Sequence, residues 1–241
     1  MTGKDVTYND GDTVLQGYVA SPDTAKTTPL VLIVHQWKGL GEYERHRADM
    51  LAEAGYTAFA IDMYGQGNRP ADTEQAAAES AIYKNDPQKA RKRLKAALNY
   101  GQSLPKVNAN KVIIIGYCFG GTMALELARS GADIDGAISF HGGLTSKSPI
   151  TPKDTIKAEL QIHHGAQDPH VPPTDVAQFV TEMTGTGIDY SLYAYKNAVH
   201  AFTEHQAGND PTGGVAYNAA ADHKSWARAL AFMQRKFNPD K

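Results

Sequence analysis

The stretch Ile113-Ile114-Ile115-Gly116-Tyr117-Cys118-Phe119-Gly120-Gly121 carries the only cysteine in a chain of 241 residues. Its apolar run, rich in β-branched residues, reads as a strand buried on both faces. The Gly-x-Cys-x-Gly that follows fits a sharp strand-to-helix turn, with small residues at both ends so that the chain can fold tightly. Such a turn lifts the Cys118 side chain above the sheet, beside a helix N-terminus whose partial positive charge favours a thiolate. A lone cysteine flanked by apolar residues is also read as inert core. The rest of the chain decides between the two.

Outward from this stretch, short apolar runs alternate with helical patterns. Strands are expected at Thr13 to Ala20, Pro29 to His35, Thr57 to Asp62, Lys111 to Tyr117, Gly136 to His141, Leu160 to Gly165 and Asp189 to Tyr195. Helices are expected at Tyr43 to Ala54, Asp72 to Tyr83, Pro87 to Ser103, Phe119 to Arg129, Thr174 to Thr184 and Ala219 to Phe237. Strand and helix in repeated alternation specify an α/β fold: a mostly parallel sheet of seven to eight strands with helices on both faces. No repeat or low-complexity linker divides the sequence, so residues 1–241 are read as a single domain.

Hydrophobic content of 41% and charged content of 21% are those of an ordinary folded protein. A net charge of −2 offers no general attraction to nucleic acid or anionic lipid. The one basic cluster, KARKRLK at Lys89 to Lys95, reads as the solvated face of a helix. The longest wholly apolar runs fall far short of the roughly 18 residues that a membrane span needs. One cysteine forms no internal disulfide. The N-terminal MTGKDVTYND has no apolar signal region, which gives a cytoplasmic expectation; an exported protein whose signal is absent from this sequence reads the same.

In an open parallel sheet, ligands bind outside the carboxyl ends of the strands. Three further segments fall there. HHGAQDPHVP, His163 to Pro172, places Asp168 in a loop where it either orients a histidine or simply stabilises a turn. NAVHAFTE, Asn197 to Glu204, places His200 on a loop before the last helix, as a general base or a solvated side chain. The chain order Cys118, Asp168, His200 is the nucleophile, acid, histidine order of the α/β-hydrolases. The turn after the strand ending near His35 offers the backbone N–H of Trp37, with that of Phe119, as an oxyanion hole.

With these residues assembled, the chain resembles the dienelactone hydrolase family of α/β-hydrolases over nearly its whole length. The resemblance rests on GYCFGG at the elbow, DMYGQG at Asp62 to Gly67, FHGG at Phe140 to Gly143, HGAQDPHVPP around Asp168, and VHAFTE followed by GVAYNAAADHKSWARALAF. It implies an α/β-hydrolase fold without a large cap domain and a triad of Cys118 as nucleophile, His200 as base and Asp168 as its orienting partner. It also places Trp37 and Phe119 at the oxyanion hole and Gln36, Tyr64, Tyr83, His141 and Phe202 next to the nucleophile or in the pocket. Family members usually carry a glutamate where this chain has Gln36, so activation of Cys118 should fall more heavily on His200. Members acting on dienelactone hold its carboxylate with arginines, whereas DTEQAAAESAIYK contains none and the stretch beyond His200 reads Ala201-Phe202-Thr203-Glu204.

The expected function is therefore hydrolysis of a carboxylic ester or lactone through a thioester, on a small molecule other than dienelactone itself. No cofactor is expected. No metal is expected either, since His35, His141, His163, His164, His170 and His205 form no HExxH-like ligand set. The chain is expected as a monomer or homodimer, with neither nucleic acid nor membrane as partner. A non-catalytic binding protein of the same fold, or a redox switch at Cys118, are the alternative readings.

Overall fold

The computed structural model describes residues 1–151 and 156–238. Eight strands form one sheet: β1 (Thr2–Asp10), β2 (Thr13–Ser21), β3 (Thr28–Val34), β4 (Thr57–Ile61), β5 (Val107–Tyr117), β6 (Gly136–Phe140), β7 (Glu159–Gly165) and β8 (Tyr190–Tyr195). Their spatial order is β1-β2-β4-β3-β5-β6-β7-β8. From β4 across to β8 every neighbouring pair is parallel, while β1 and β2 pair antiparallel with each other and β2 antiparallel with β4. Among the described residues the α-helices are α1 (Glu42–Glu53), α2 (Thr73–Asn85), α3 (Pro87–Gln102), α4 (Phe119–Arg129), α5 (Pro173–Thr186) and α6 (Ala219–Phe237).

The central strands show why a continuous apolar run was required. Leu30, Leu32, Val34, Val112 and Ile114 turn to the face that carries Leu94 of α3 and Met123 of α4. Val31, Ile33, Ile113 and Ile115 turn to the opposite face, against Leu51 of α1 and Phe232 of α6. Successive side chains leave a strand on opposite sides, so only an all-apolar strand satisfies two cores at once. Full burial of each such side chain stabilises the fold by about 1.5–3 kcal/mol.

Two features depart from the sequence expectations. Strand β1 was not anticipated: of its nine residues only Tyr8 is buried, and Lys4 and Asp5 are exposed on an edge strand. A polar edge strand carries little of the hydrophobic signal by which strands are read, and charge on an edge also discourages pairing with other chains. The KARKRLK segment is not wholly a wet face either. Its lysines are exposed, but Arg93 is buried and pairs with Asp10 at 2.8 Å, while Arg91 reaches Glu126 at 2.9 Å. Helix α3 lies against both the sheet and α4, so Arg91 and Arg93 of its basic face reach partners from distant segments.

From β3 the chain leads through α1 to β4 on one side of it, and from β4 it returns through α2 and α3 to β5 on the other side of β3. The carboxyl ends of β3, β5, β6, β7 and β8 therefore all open onto one rim of the sheet, at the point where the strand order reverses.

Candidate active site

Cys118 stands between the end of β5 and the start of α4 with φ 53° and ψ −117°, a conformation that favours glycine. The surrounding chain enforces it. A Cβ on Gly116 would lie 2.0 Å from the Gly120 carbonyl oxygen, and one on Gly120 would lie 2.1 Å from the carbonyl oxygen of Val34. These approaches press the helix start against the ends of β5 and β3. The Cys118 N–H donates to the carbonyl oxygen of Phe140 at 3.0 Å and to Nδ1 of His141 at 3.1 Å.

His200 follows β8 on a loop held by a short parallel bridge to Val215. Its N–H donates to the Gly214 carbonyl, and its own carbonyl accepts from Ala216. So fixed, the ring spans two groups: Nε2 lies 3.0 Å from Cys118 Sγ, and Nδ1 lies 2.8 Å from Asp168 Oδ2. The Asp168 side chain is fully buried. Its other oxygen accepts the N–H of His170 at 2.8 Å, so both oxygens are engaged and the carboxylate has one orientation to offer the ring. Burial works against the charged imidazolium, but hydrogen bonds to Asp168 and Cys118 outweigh it and push the His200 pKa up to about 10.

Around this row, the turn after β3 is rigid. The Gln36 N–H donates to Glu44, the Gly39 N–H to the Gln36 carbonyl, and the Tyr64 hydroxyl to the Trp37 carbonyl at 2.9 Å. Phe119 is the first residue of α4, where helix geometry leaves the N–H without an intrahelical partner. Tyr64 packs against His35, Tyr83 and Phe119, forming an aromatic wall beside the elbow. Phe202 is fully buried with its ring 5.1 Å from that of His141, so it props the histidine from behind.

Gln36 makes the least expected contact. Its amide Nε2 donates to Glu204 Oε2 at 2.8 Å, linking the turn after β3 to the loop after His200. Glu44 was not singled out in the sequence, while Thr203 and Glu204 entered only as part of the arginine-free stretch beyond His200, and His170 only as a histidine outside any metal-ligand set. For Glu44 a signal existed, since a glutamate at the third position of a helix commonly reaches back to the backbone before it. Here its two oxygens accept the N–H groups of Gln36 and Gly41. Thr203 carried no signal beyond lying near His200. Among the described residues, no three His, Cys, Asp or Glu side chains are grouped to hold a metal ion, and no helix is long and apolar enough to cross a membrane.

The arrangement has the parts of acyl transfer: a sulfur on a strained turn, an oriented imidazole in contact with it, and rigid backbone amides nearby. Comparison with known proteins places that geometry in context. The sequence model of the dienelactone hydrolase family matches residues 15–237. A probable 2-oxo-3-(5-oxofuran-2-ylidene)propanoate lactonase of Bradyrhizobium is 29% identical over 225 residues, covering 90% of this chain and 88% of the relative. A carboxymethylenebutenolidase of Pseudomonas putida is 29% identical over 225 residues, covering 90% of this chain and 91% of its own. Among solved structures, one described as m3DLH superposes with a TM-score of 0.91 at 32% identity, covering 97% of this chain and 98% of that one. A dienelactone hydrolase-like promiscuous phosphotriesterase from metagenomic libraries gives 0.88 at 31% identity, with the same coverage.

Proposed function

This chain belongs to the dienelactone hydrolase family, hydrolases of esters and lactones, and on that premise we propose that it cleaves small neutral carboxylic esters or lactones through a thioester on Cys118. The observation that carries the proposal is the continuous row Cys118 Sγ, His200, Asp168, at 3.0 and 2.8 Å, mounted on a Gly-x-Cys-x-Gly elbow.

The sulfur, its proton taken by His200 Nε2, attacks the carbonyl carbon. The C–S bond forms and the carbonyl electrons move onto oxygen, where the N–H groups of Trp37 and Phe119 receive them. Collapse breaks the C–O bond, and the leaving alkoxide takes the proton from Nε2. A water then gives a proton to Nε2 as its oxygen attacks the thioester, and the thiolate departs with the acid as product. Asp168 keeps Nδ1 protonated throughout, so that Nε2 is the nitrogen that exchanges protons. Each oxyanion donor is expected to lower the barrier by about 3 kcal/mol.

Charge narrows the substrate. Glu204 accepts from the Gln36 amide and from the Gln206 N–H, both neutral donors, which sets an acidic side chain beside the turn that carries Trp37. An anionic acyl group meets repulsion there, which argues against dienelactone-type carboxylates and for neutral esters. A second reading, neutral phosphotriesters attacked by the same sulfur, is supported by the likeness to the phosphotriesterase.

Intact-protein mass spectrometry during turnover of p-nitrophenyl butyrate tests the main reading. A transient adduct of one butyryl group on Cys118 is expected, with none on Cys118→Ala. Undiminished hydrolysis by Cys118→Ala overturns it.

A further inference from the structure

His141 lies at a junction that the hydrolytic row does not use. It follows β6 with φ 40°, a left-handed backbone angle, and its N–H donates to the His163 carbonyl at 2.8 Å. The ring is fully enclosed. On one side Nδ1 accepts the N–H of Cys118; on the other Nε2 lies 2.8 Å from Thr203 Oγ1. A neutral imidazole that accepts at Nδ1 must carry its proton on Nε2, which therefore donates to Thr203.

Thr203 is held in turn. The Tyr43 hydroxyl donates to Thr203 Oγ1 at 2.7 Å, Arg47 Nε donates to the Tyr43 oxygen at 3.1 Å, and Arg47 Nη2 pairs with Asp222 at 2.7 Å. Asp222 and Arg47 are both buried, and the chain of contacts holds the Thr203 hydroxyl in place beside His141. A second proton would set a donor against the Cys118 N–H and put a charge on a ring whose centre lies 5.4 Å from that of His200. Burial, with His200, Arg47 and His163 nearby, holds the His141 pKa well below the ordinary value.

We propose that His141 is a positioning residue for the hydrolytic chemistry: a neutral Nε2–H imidazole that acts as a fixed spacer between the nucleophile's backbone and the loop of the base. Thr203 is three residues beyond His200, so the ring ties the two segments whose side chains must meet. Its tautomer is set by the Cys118 N–H, which needs an unprotonated Nδ1, and its place is held by the buried path from Asp222 through Arg47, Tyr43 and Thr203. Displacement of about 1 Å between reacting groups lowers rates about a hundredfold, so loss of the spacer acts on the chemical step more than on binding.

This inference rests on the proposed function, and the test separates the two. Cys118 is the only thiol, so its alkylation by iodoacetamide reports the Cys118–His200 pair without any ester substrate. Nitrogen-15 spectra of labelled protein at pH 7 are expected to show His141 with Nδ1 unprotonated and Nε2 protonated. Thr203→Val should lower both kcat on p-nitrophenyl butyrate and the alkylation rate about tenfold or more, with KM within about twofold. Thr203→Ser, which restores the acceptor, should stay within about threefold of the parent. His141→Phe should match or exceed the loss in Thr203→Val. A wild-type ring protonated on Nδ1, or a folded His141→Phe protein that keeps both rates, overturns the proposal. Ester hydrolysis that persists in Cys118→Ala while the spectra and alkylation rates come out as expected overturns the hydrolytic reading alone.

Discussion

The amide of Gln36 and the carboxylate of Glu204, 168 positions apart in the chain, meet at 2.8 Å beside the elbow. Gln36→Glu would set two carboxylates at that separation, where one must take up a proton or the pair must part. The variant should melt several degrees below the parent at pH 8 and approach it at pH 5, where sharing a proton becomes easy. Its pH profile for acylation should shift as well. The exchange Gln36→Glu with Glu204→Gln reverses the polarity of the same hydrogen bond and should recover most of the melting temperature. Differential scanning calorimetry decides it: a single variant indistinguishable from the parent at pH 8 rules out the contact.

Glycines at the elbow and glycines elsewhere should behave oppositely. Gly120→Ala drives a methyl into the Val34 carbonyl, with backbone on both sides and nothing flexible to yield. Loss of soluble protein, or a fall in esterase activity of more than about a hundredfold, is expected from misplacement of the nucleophile. Gly185, inside α5, has open space where a Cβ would go and an ordinary backbone angle. Gly185→Ala should raise stability by about 0.5–1 kcal/mol through helix propensity. Urea denaturation of both variants checks the contrast, and an active, stable Gly120→Ala protein would refute the account of the elbow.

Acid should unfold this protein earlier than its carboxylates alone require. Burial pushes His35 down to about 4 and His163 down to about 3, and it holds His141 well below its usual value. These rings are neutral in the folded chain but take up protons in the unfolded chain below about pH 6.5. The unfolded state then binds more protons, so stability falls as pH drops from about 6.5 and keeps falling until each folded value is reached. Each ring contributes about 1.4 kcal/mol per pH unit in that window. His163 sits between the Tyr195 hydroxyl and the Gln161 amide, with Arg228 nearby, and among the described residues no carboxylate offsets its protonation there. Urea midpoints should drop sharply between pH 7 and pH 5, less so in His163→Gln. Equal midpoints at the two pH values would contradict this.

The basic stripe of α3 separates two kinds of cation. Arg93→Met removes the partner of Asp10 and a donor to the Met63 carbonyl, both enclosed, and should destabilise by about 3 kcal/mol. Lys95→Met, at an exposed position, should change stability by less than about 0.5 kcal/mol. Chemical denaturation at neutral pH measures both, and similar losses for the two would return the whole stripe to solvent.

How far these features could be read from sequence follows from their physics. The strands β3 and β5 were legible because burial on two faces demands uninterrupted apolar residues, a local pattern. The order of Cys118, Asp168 and His200 was legible because strand ends are where this sheet presents side chains. Arg93 with Asp10, Gln36 with Glu204, and His141 with Thr203 were not. Each is a polar contact between segments far apart in the chain, and nothing local distinguishes a paired arginine or amide from a solvated one. Strand β1 was missed for a related reason: its stability comes from backbone pairing with β2, which leaves its side chains free of any burial pattern.

Backbone angles at the elbow carry a consequence for the protein's history. Cys118 occupies a conformation that an L-residue enters only under constraint, at an energy of about 1–3 kcal/mol. Glycine would rest there without strain, so Cys118→Gly should make the fold more heat-resistant while removing its sulfur. A library of variants screened for thermal tolerance alone would thus enrich an inert protein. On the proposed thioester chemistry, it is selection for turnover, not for stability, that would keep an energetically disfavoured side chain at this turn.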